Sequence, residues 1–472
     1  MHLLEPAMNL PKTTPADNPL TAWAQLVCRS RFEDLSPLAV AKAKVFLMDT
    51  LACGVAGRTG PHAHELAVAA QQWGQGNEAV VWGSDMRAPA AQAAVINGYR
   101  IHALEWDCVH EPAVVHPMAT LLPALLAYSE RSAAAGRPVS GQQFLLAMTM
   151  GVEIAATLGA ASKSVMRFFR PATCGGFGVV AGLGVLASLD EATVMNAFGI
   201  QYGQTSGTMQ AHVEGSMLLG LQVGFNGRAG LTSVDLAMAG MTGPQDILTG
   251  PYGYYTLFET EHDIAHWWPQ LGQQWHITEL SHKPFPSGRL THAAVDAVQQ
   301  AVAALNFGPN DLKAMHVGAP PLTYRLVGRP DIPNPQPNYA RLCIPYVVAA
   351  TLSHGTCTPA SFAPQHLSNP ALHALAGKVH VSLNANPDVN ALWPQQIRIE
   401  LHDGRVWEKE IHTPIGHPDN PLSAAACETK FRQCWGIADM PHAQGDELLA
   451  LIESLESVAD VSALTHCLVR SA

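Results

Sequence analysis

A chain of 472 residues has room for two or three domains and a large core. Its formal net charge of −11, from 27 basic and 38 acidic residues, argues against a nucleic-acid or membrane partner but not against an anionic small molecule, whose binding follows the local field. With 48% hydrophobic and 14% charged residues, the composition is that of a soluble, helix-rich globular protein. The nine cysteines include no CxxC pair, so they read as reduced thiols of a cytoplasmic protein rather than a disulfide framework. No secretory leader and no uninterrupted apolar run of membrane-spanning length are read from the chain.

The first residues, up to roughly position 18, hold three prolines and are expected to lack fixed structure, as chain termini often do. From residue 19 to about 278 the pattern is helical. Ser36-Pro37 predicts an N-cap and a first-turn proline for LAVAKAKVFLMDTLACGVAG. Ser140–Gly159 reads the same way, and Asp190-Glu191 places negative charge at a helix start. The Gly/Ala/Val-rich run Gly175–Leu189 predicts closely packed helices. Its TCGGFGVVAGLG resembles a dinucleotide fingerprint only on the surface, since no strand precedes it. Leu231–Ala239 predicts a further helix.

Beyond residue 278 the texture changes. Thr291–Leu305 predicts an amphipathic helix and Tyr339–Leu352 a buried one. Lys378–Leu383 and Gln396–Ile411 predict strands, the second folded into a hairpin at Asp403-Gly404. After Pro414–Pro421 helices return, in SAAACETKFRQCW and GDELLALIESLESV. The expected fold is mainly α: a large all-helical domain built from residues 19–278 and 416–472, with a smaller α+β domain, 279–415, inserted between them.

The segment most informative about chemistry is NGYRIHALEWDCVHEPAVVHPMATLLP, residues 97–123. It sets His102, His110 and His116 around Glu105 and Asp107 in apolar surroundings. Such groupings produce acids and bases that work near neutral pH. His102 and Glu105, three apart, are expected on one helical face. His102, Glu105, Asp107 and His110 offer mixed metal ligands, but they lack the His pair or cysteine set of a strong motif, and no metal is expected.

This segment, with MDTLACGVAG (48–57), MTGPQDILTG (241–250), HKPFPSGRLTH (282–292), IPYVVA (344–349) and NPLSAAACETKFR (420–432), resembles the MmgE/PrpD family in order and along nearly the whole chain. The resemblance implies an all-helical domain with an α+β lid, a homodimer, a site between the domains, and neither metal nor organic cofactor. It implies a lyase that abstracts a proton alpha to a carboxylate of a small di- or tricarboxylate. Dehydration of a 2-methylcitrate-like acid is the modal family activity. The alternatives are decarboxylation of a cis-aconitate-like acid, epimerisation of an iminodisuccinate-like one, and a homologue that binds organic acids without turnover.

Carried over residue by residue, the resemblance makes His116 the proton-transfer group, with Glu105 or Asp107 as its partner and Lys283 as a point charge for a substrate carboxylate. His102, Arg170, Arg289 and Gln222 are expected to bind substrate. Glu105 stands where the family pattern has aspartate. Leu219, Gln222 and Arg170 stand where it has lysine, histidine and histidine, which points to a differently shaped acid or a lost reaction. His212, just upstream of Leu219, is a candidate replacement group.

Overall fold

The computed structural model describes residues 18–470, so the expectation for the preceding segment lies outside the described residues. The fold is mainly α, with 58% of the described residues helical. The caps expected at Ser36, Ser140 and Asp190 form, and Ser423 adds another. The side chains of Ser36, Ser140, Asp190 and Ser423 each accept the backbone N–H three residues on, opening helices Pro37–Ala56, Gly141–Ala160, Glu191–Gln204 and Ala424–Ile437. Each such cap contributes about 1 kcal/mol.

The helical core is close-packed through small residues. Helix Gly141–Ala160 is long and apolar enough to cross a membrane by length and composition, yet 94% of its apolar window is buried inside the protein. It packs on helix Gly175–Leu186. A side chain at Gly178 would begin 2.5 Å from the carbonyl oxygen of Gly151, so the two backbones meet only because neither carries one. Helix Leu218–Met238 is longer than the predicted Leu231–Ala239. It absorbs the glycine-rich run before it by lying against helix Ala90–His102, where a Cβ on Gly224 would sit 2.4 Å from the Val95 carbonyl oxygen. Helix propensity alone underrates such a segment, and tertiary packing overrides it.

The later residues include a four-stranded sheet in the order Val379–Leu383, Leu312–Ala319, Gln395–Leu401, Val406–Ile411. The first pair is parallel and the other two antiparallel. The central strand Leu312–Ala319 was not expected: Lys313, His316 and Gly318 dilute its alternation. The buried helix expected over Tyr339–Leu352 is two helices, Pro337–Arg341 and Ile344–His354, broken where Pro345 opens a new first turn. Helix Ala424–Ile437 returns to pack on Pro37–Ala56.

One small sheet positions the site. Strand Val109–His110 pairs antiparallel with Leu280–Ser281, Val109 opposite Ser281 and His110 opposite Leu280. It fastens the loop after helix Ala90–His102 to the segment that carries Lys283 and Arg289.

Candidate active site

Three elements converge here. His102 is the last residue of helix Ala90–His102. The chain then turns sharply, with Glu105 in the left-handed region at φ 53°, which an L-residue adopts only when its surroundings hold it there. The neighbouring Trp106 carbonyl accepts from Lys430 Nζ at 2.7 Å, and Lys430 pairs with Asp49 at 2.6 Å. A C-terminal helix therefore holds the turn between Glu105 and Asp107. His116 is the N-cap of the 18-residue helix Pro117–Ala134. His102 and Glu105 meet because of this turn and not, as expected, on one helical face.

The side chains form a buried charged chain. Lys283 Nζ donates to Glu105 Oε2 at 2.7 Å and lies 4.0 Å from Asp107 Oδ1. Glu105 Oε1 is 3.0 Å from His102 Nε2, and His102 Nδ1 is 3.0 Å from Asp107 Oδ1. Asp107 Oδ2 binds His116 Nδ1 at 2.8 Å. Burial disfavours charge on His102, but Asp107 and Glu105 outweigh it and lift its pKa to about 10, so it is an imidazolium at neutral pH. Burial likewise opposes charge on Glu105 and Asp107. Lys283 with His102, and the two histidines, hold their carboxyls well below the usual range. For His116 burial wins: with Lys283 nearby, its pKa falls below the ordinary imidazole value despite Asp107. Its Nδ1–H points at Asp107, and Nε2 makes no hydrogen bond among the described residues. That nitrogen is a free base.

His116 lines a partly open cavity of about 70 Å³. This is space for several waters or a small acid. His102, Glu105, Glu111, His212 and Arg289 are its other polar walls, and the rest is apolar. Burial and the adjacent Arg329 push the His212 pKa down to about 3. Its Nδ1 accepts from Arg329 Nη2 at 3.0 Å, and guanidinium has no lone pair to offer, so the ring proton sits on Nε2. The cavity thus has a base nitrogen on His116 and a neutral N–H donor on His212.

Other expected site residues are placed differently. Lys283 is fully buried behind Glu105 and does not line the cavity. Arg289 reaches the wall but is held by Glu111 at 2.6 Å and by the carbonyls of Ile415, Pro414 and His282. Arg170 makes a two-pronged pair with Glu259, and Gln222 Oε1 accepts from the Thr208 backbone at 2.6 Å; neither lines the cavity. Both side chains are engaged by partners distant in sequence, which spacing does not reveal. Glu111 was missed. It also accepts from Ser281 and Trp393 and so ties the loop to the later segments. Its only sequence signal is its place beside His110.

His110 is fully buried and belongs to a second cluster. Its Nδ1 accepts from Ala113 N–H, so Nε2 carries the proton and donates to Glu279 Oε2 at 3.1 Å, while His276 Nδ1 meets the same oxygen at 2.6 Å. The metal ligand set considered for His102, Glu105, Asp107 and His110 is therefore split between two clusters.

Against known families, residues 21–266 match the MmgE/PrpD N-terminal domain and residues 285–453 match the MmgE/PrpD C-terminal domain. The chain belongs to the MmgE/PrpD family. Among curated members it is similar to the cis-aconitate decarboxylases of Homo sapiens (27% identical, covering 92% of this chain and 91% of the relative) and Mus musculus (27%, 95% and 92%). The cis-aconitate decarboxylase of Aspergillus terreus is similar at 26%, covering 93% and 94%. Within this MmgE/PrpD chain, the paired histidine and carboxylate groups fall in the N-terminal match. Arg289 falls in the C-terminal match, and Lys283 in the short connection between the two.

Proposed function

We propose that the protein is an acid–base lyase that transfers a proton at the carbon next to a carboxylate of a small organic acid. One observation carries this reading: His116 lines the cavity with an Nε2 that makes no hydrogen bond among the described residues while Asp107 holds its other nitrogen. Asp107 fixes the tautomer and stabilises the imidazolium formed when Nε2 takes a proton. Removing that proton places negative charge on the substrate carboxylate as an enolate. The Nε2–H of His212 is a preorganised donor for that oxygen, a type of contact worth about 10²–10³ in rate. The N-terminus of helix Pro117–Ala134 adds its dipole beside His116.

The cis-aconitate decarboxylases among its relatives favour loss of carbon dioxide over loss of water. In that outcome the C–C bond to the departing carboxylate breaks, its electron pair stays on the substrate carbon, and His116 Nε2 takes a proton from solvent and passes it to that carbon, which returns the ring to its neutral state. The test is NMR in deuterated water with a panel of carboxylic acids, following alpha-proton exchange and release of carbon dioxide. His116→Gln is expected to slow both by about 10²–10⁴, and His212→Phe by about 10²–10³. Binding without exchange by any acid would reduce the protein to a non-catalytic acid binder.

A further inference from the structure

The charged side chains on and just behind the cavity wall are already paired. Three carboxylates (Glu105, Asp107, Glu111) face three cations (Lys283, Arg289, His102), each within ion-pair distance of a partner. Of the nearby guanidiniums, Arg170 pairs with Glu259, Arg329 bonds His212 and neighbouring carbonyls, and Arg341 bonds the Ala103 carbonyl and Asn338 while its Nε makes no hydrogen bond; none of the three lines the cavity. Arg325 is exposed and outside the lining. Among the described residues, no cation without a carboxylate partner lines the cavity. Its remaining wall includes Met166, Phe169, Met209, Leu219, Leu326 and Leu392.

A buried carboxylate without a counter-charge is costly, because protein atoms replace its water without replacing the water's dipoles. One carboxylate can sit at the polar corner between His116 and His212. Further ones would be pressed against thioether, phenyl and leucyl surface.

We infer that the substrate is an acid bearing an alkyl or aryl substituent, seated against this apolar wall, rather than a compact tricarboxylate. The inference rests on the reading of the cavity as an acid site and specifies its substrate class.

The test compares acids that differ only at the far end. Binding of hexanoate, adipate and tricarballylate to the full-length protein is measured by calorimetry, with hexanoate expected to bind at least about tenfold more tightly than either polyacid. Leu219→Lys, which puts an ammonium into the wall, is expected to reverse the order of hexanoate and adipate. If that variant fails to fold, the wild-type comparison decides alone. Adipate or tricarballylate binding as tightly as hexanoate overturns the inference, and no binding by any of the three overturns the cavity as an acid site. The outcomes separate from those of the proposed function. Alpha-proton exchange with polyacids and none with alkyl acids sinks the substrate class but keeps the lyase. Tight hexanoate binding with no exchange by any acid does the opposite.

Discussion

Two histidine–carboxylate clusters both draw on the loop between residues 102 and 116 and end up chemically different. In one, His102, Asp107 and His116 share a carboxylate, and the outer histidine keeps a lone pair facing a cavity. In the other, His110, His276 and Glu279 also share a carboxylate, but a backbone N–H occupies the remaining nitrogen of His110. The first can accept a proton from a ligand. The second is a strap joining strand Val109–His110 to the turn His276–Glu279. The lesson is that reactivity depends on an unsatisfied nitrogen beside a void, not on the inventory of titratable groups.

The sharpest way to break the comparison is to remove one imidazole from each cluster. His116→Gln is expected to cost about 10²–10⁴ in turnover with little change in melting temperature. His110→Gln is expected to leave turnover at the wild-type level and to lower stability by about 1 kcal/mol, read by denaturant unfolding. Equal losses of turnover in the two variants would erase the distinction.

Next in size is Lys283→Met. It leaves Glu105 buried without its ammonium, and breaking such a pair typically costs about 3–5 kcal/mol. Adding Glu105→Gln is expected to restore much of that stability without restoring activity, because the charged chain that orients His102 is gone.

Lys430→Met examines the turn from behind. It frees the Trp106 carbonyl and strands Asp49. The double variant Asp49→Asn, Lys430→Met is expected to recover stability while activity stays several-fold low. Recovery of both would show that Lys430 only balances Asp49 and does not hold the turn.

The smallest effect is in the pH profile. Neutral His116 is the active form, so activity is expected to fall on the acid side below the usual imidazole range, where its lowered pKa lies. On the alkaline side it is expected to fall near 10, as His102 loses its proton. The same shift acts on stability. His102 binds its proton more tightly folded than unfolded, so its contribution is complete below about 6.5, shrinks as pH rises, and is gone above about 10. An acid limb well above the imidazole range would remove His116 as the base.

Much of the architecture was legible along the chain. Ser36, Ser140 and Asp190 announced their helices because capping is a contact over three residues. The strands at 379–383 and 395–411 showed because alternation is local. The gathering of His102, Glu105, Asp107 and His116 was legible too, since one short loop contains them all. What escaped is what depends on distant partners. Strand Leu312–Ala319 exists because strands on both sides pair with its backbone. Arg170 and Gln222 have side chains suited to a ligand, but Glu259 and Thr208 reached them first. The sequence by itself determined the helix starts, the break to a mixed α+β region and the presence of an acid–base cluster, all interactions between near neighbours. Only the tertiary structure decided which histidine kept a free nitrogen and which cations were already neutralised. A lone pair or a charge is available only if nothing elsewhere in the fold lies within hydrogen-bonding distance of it.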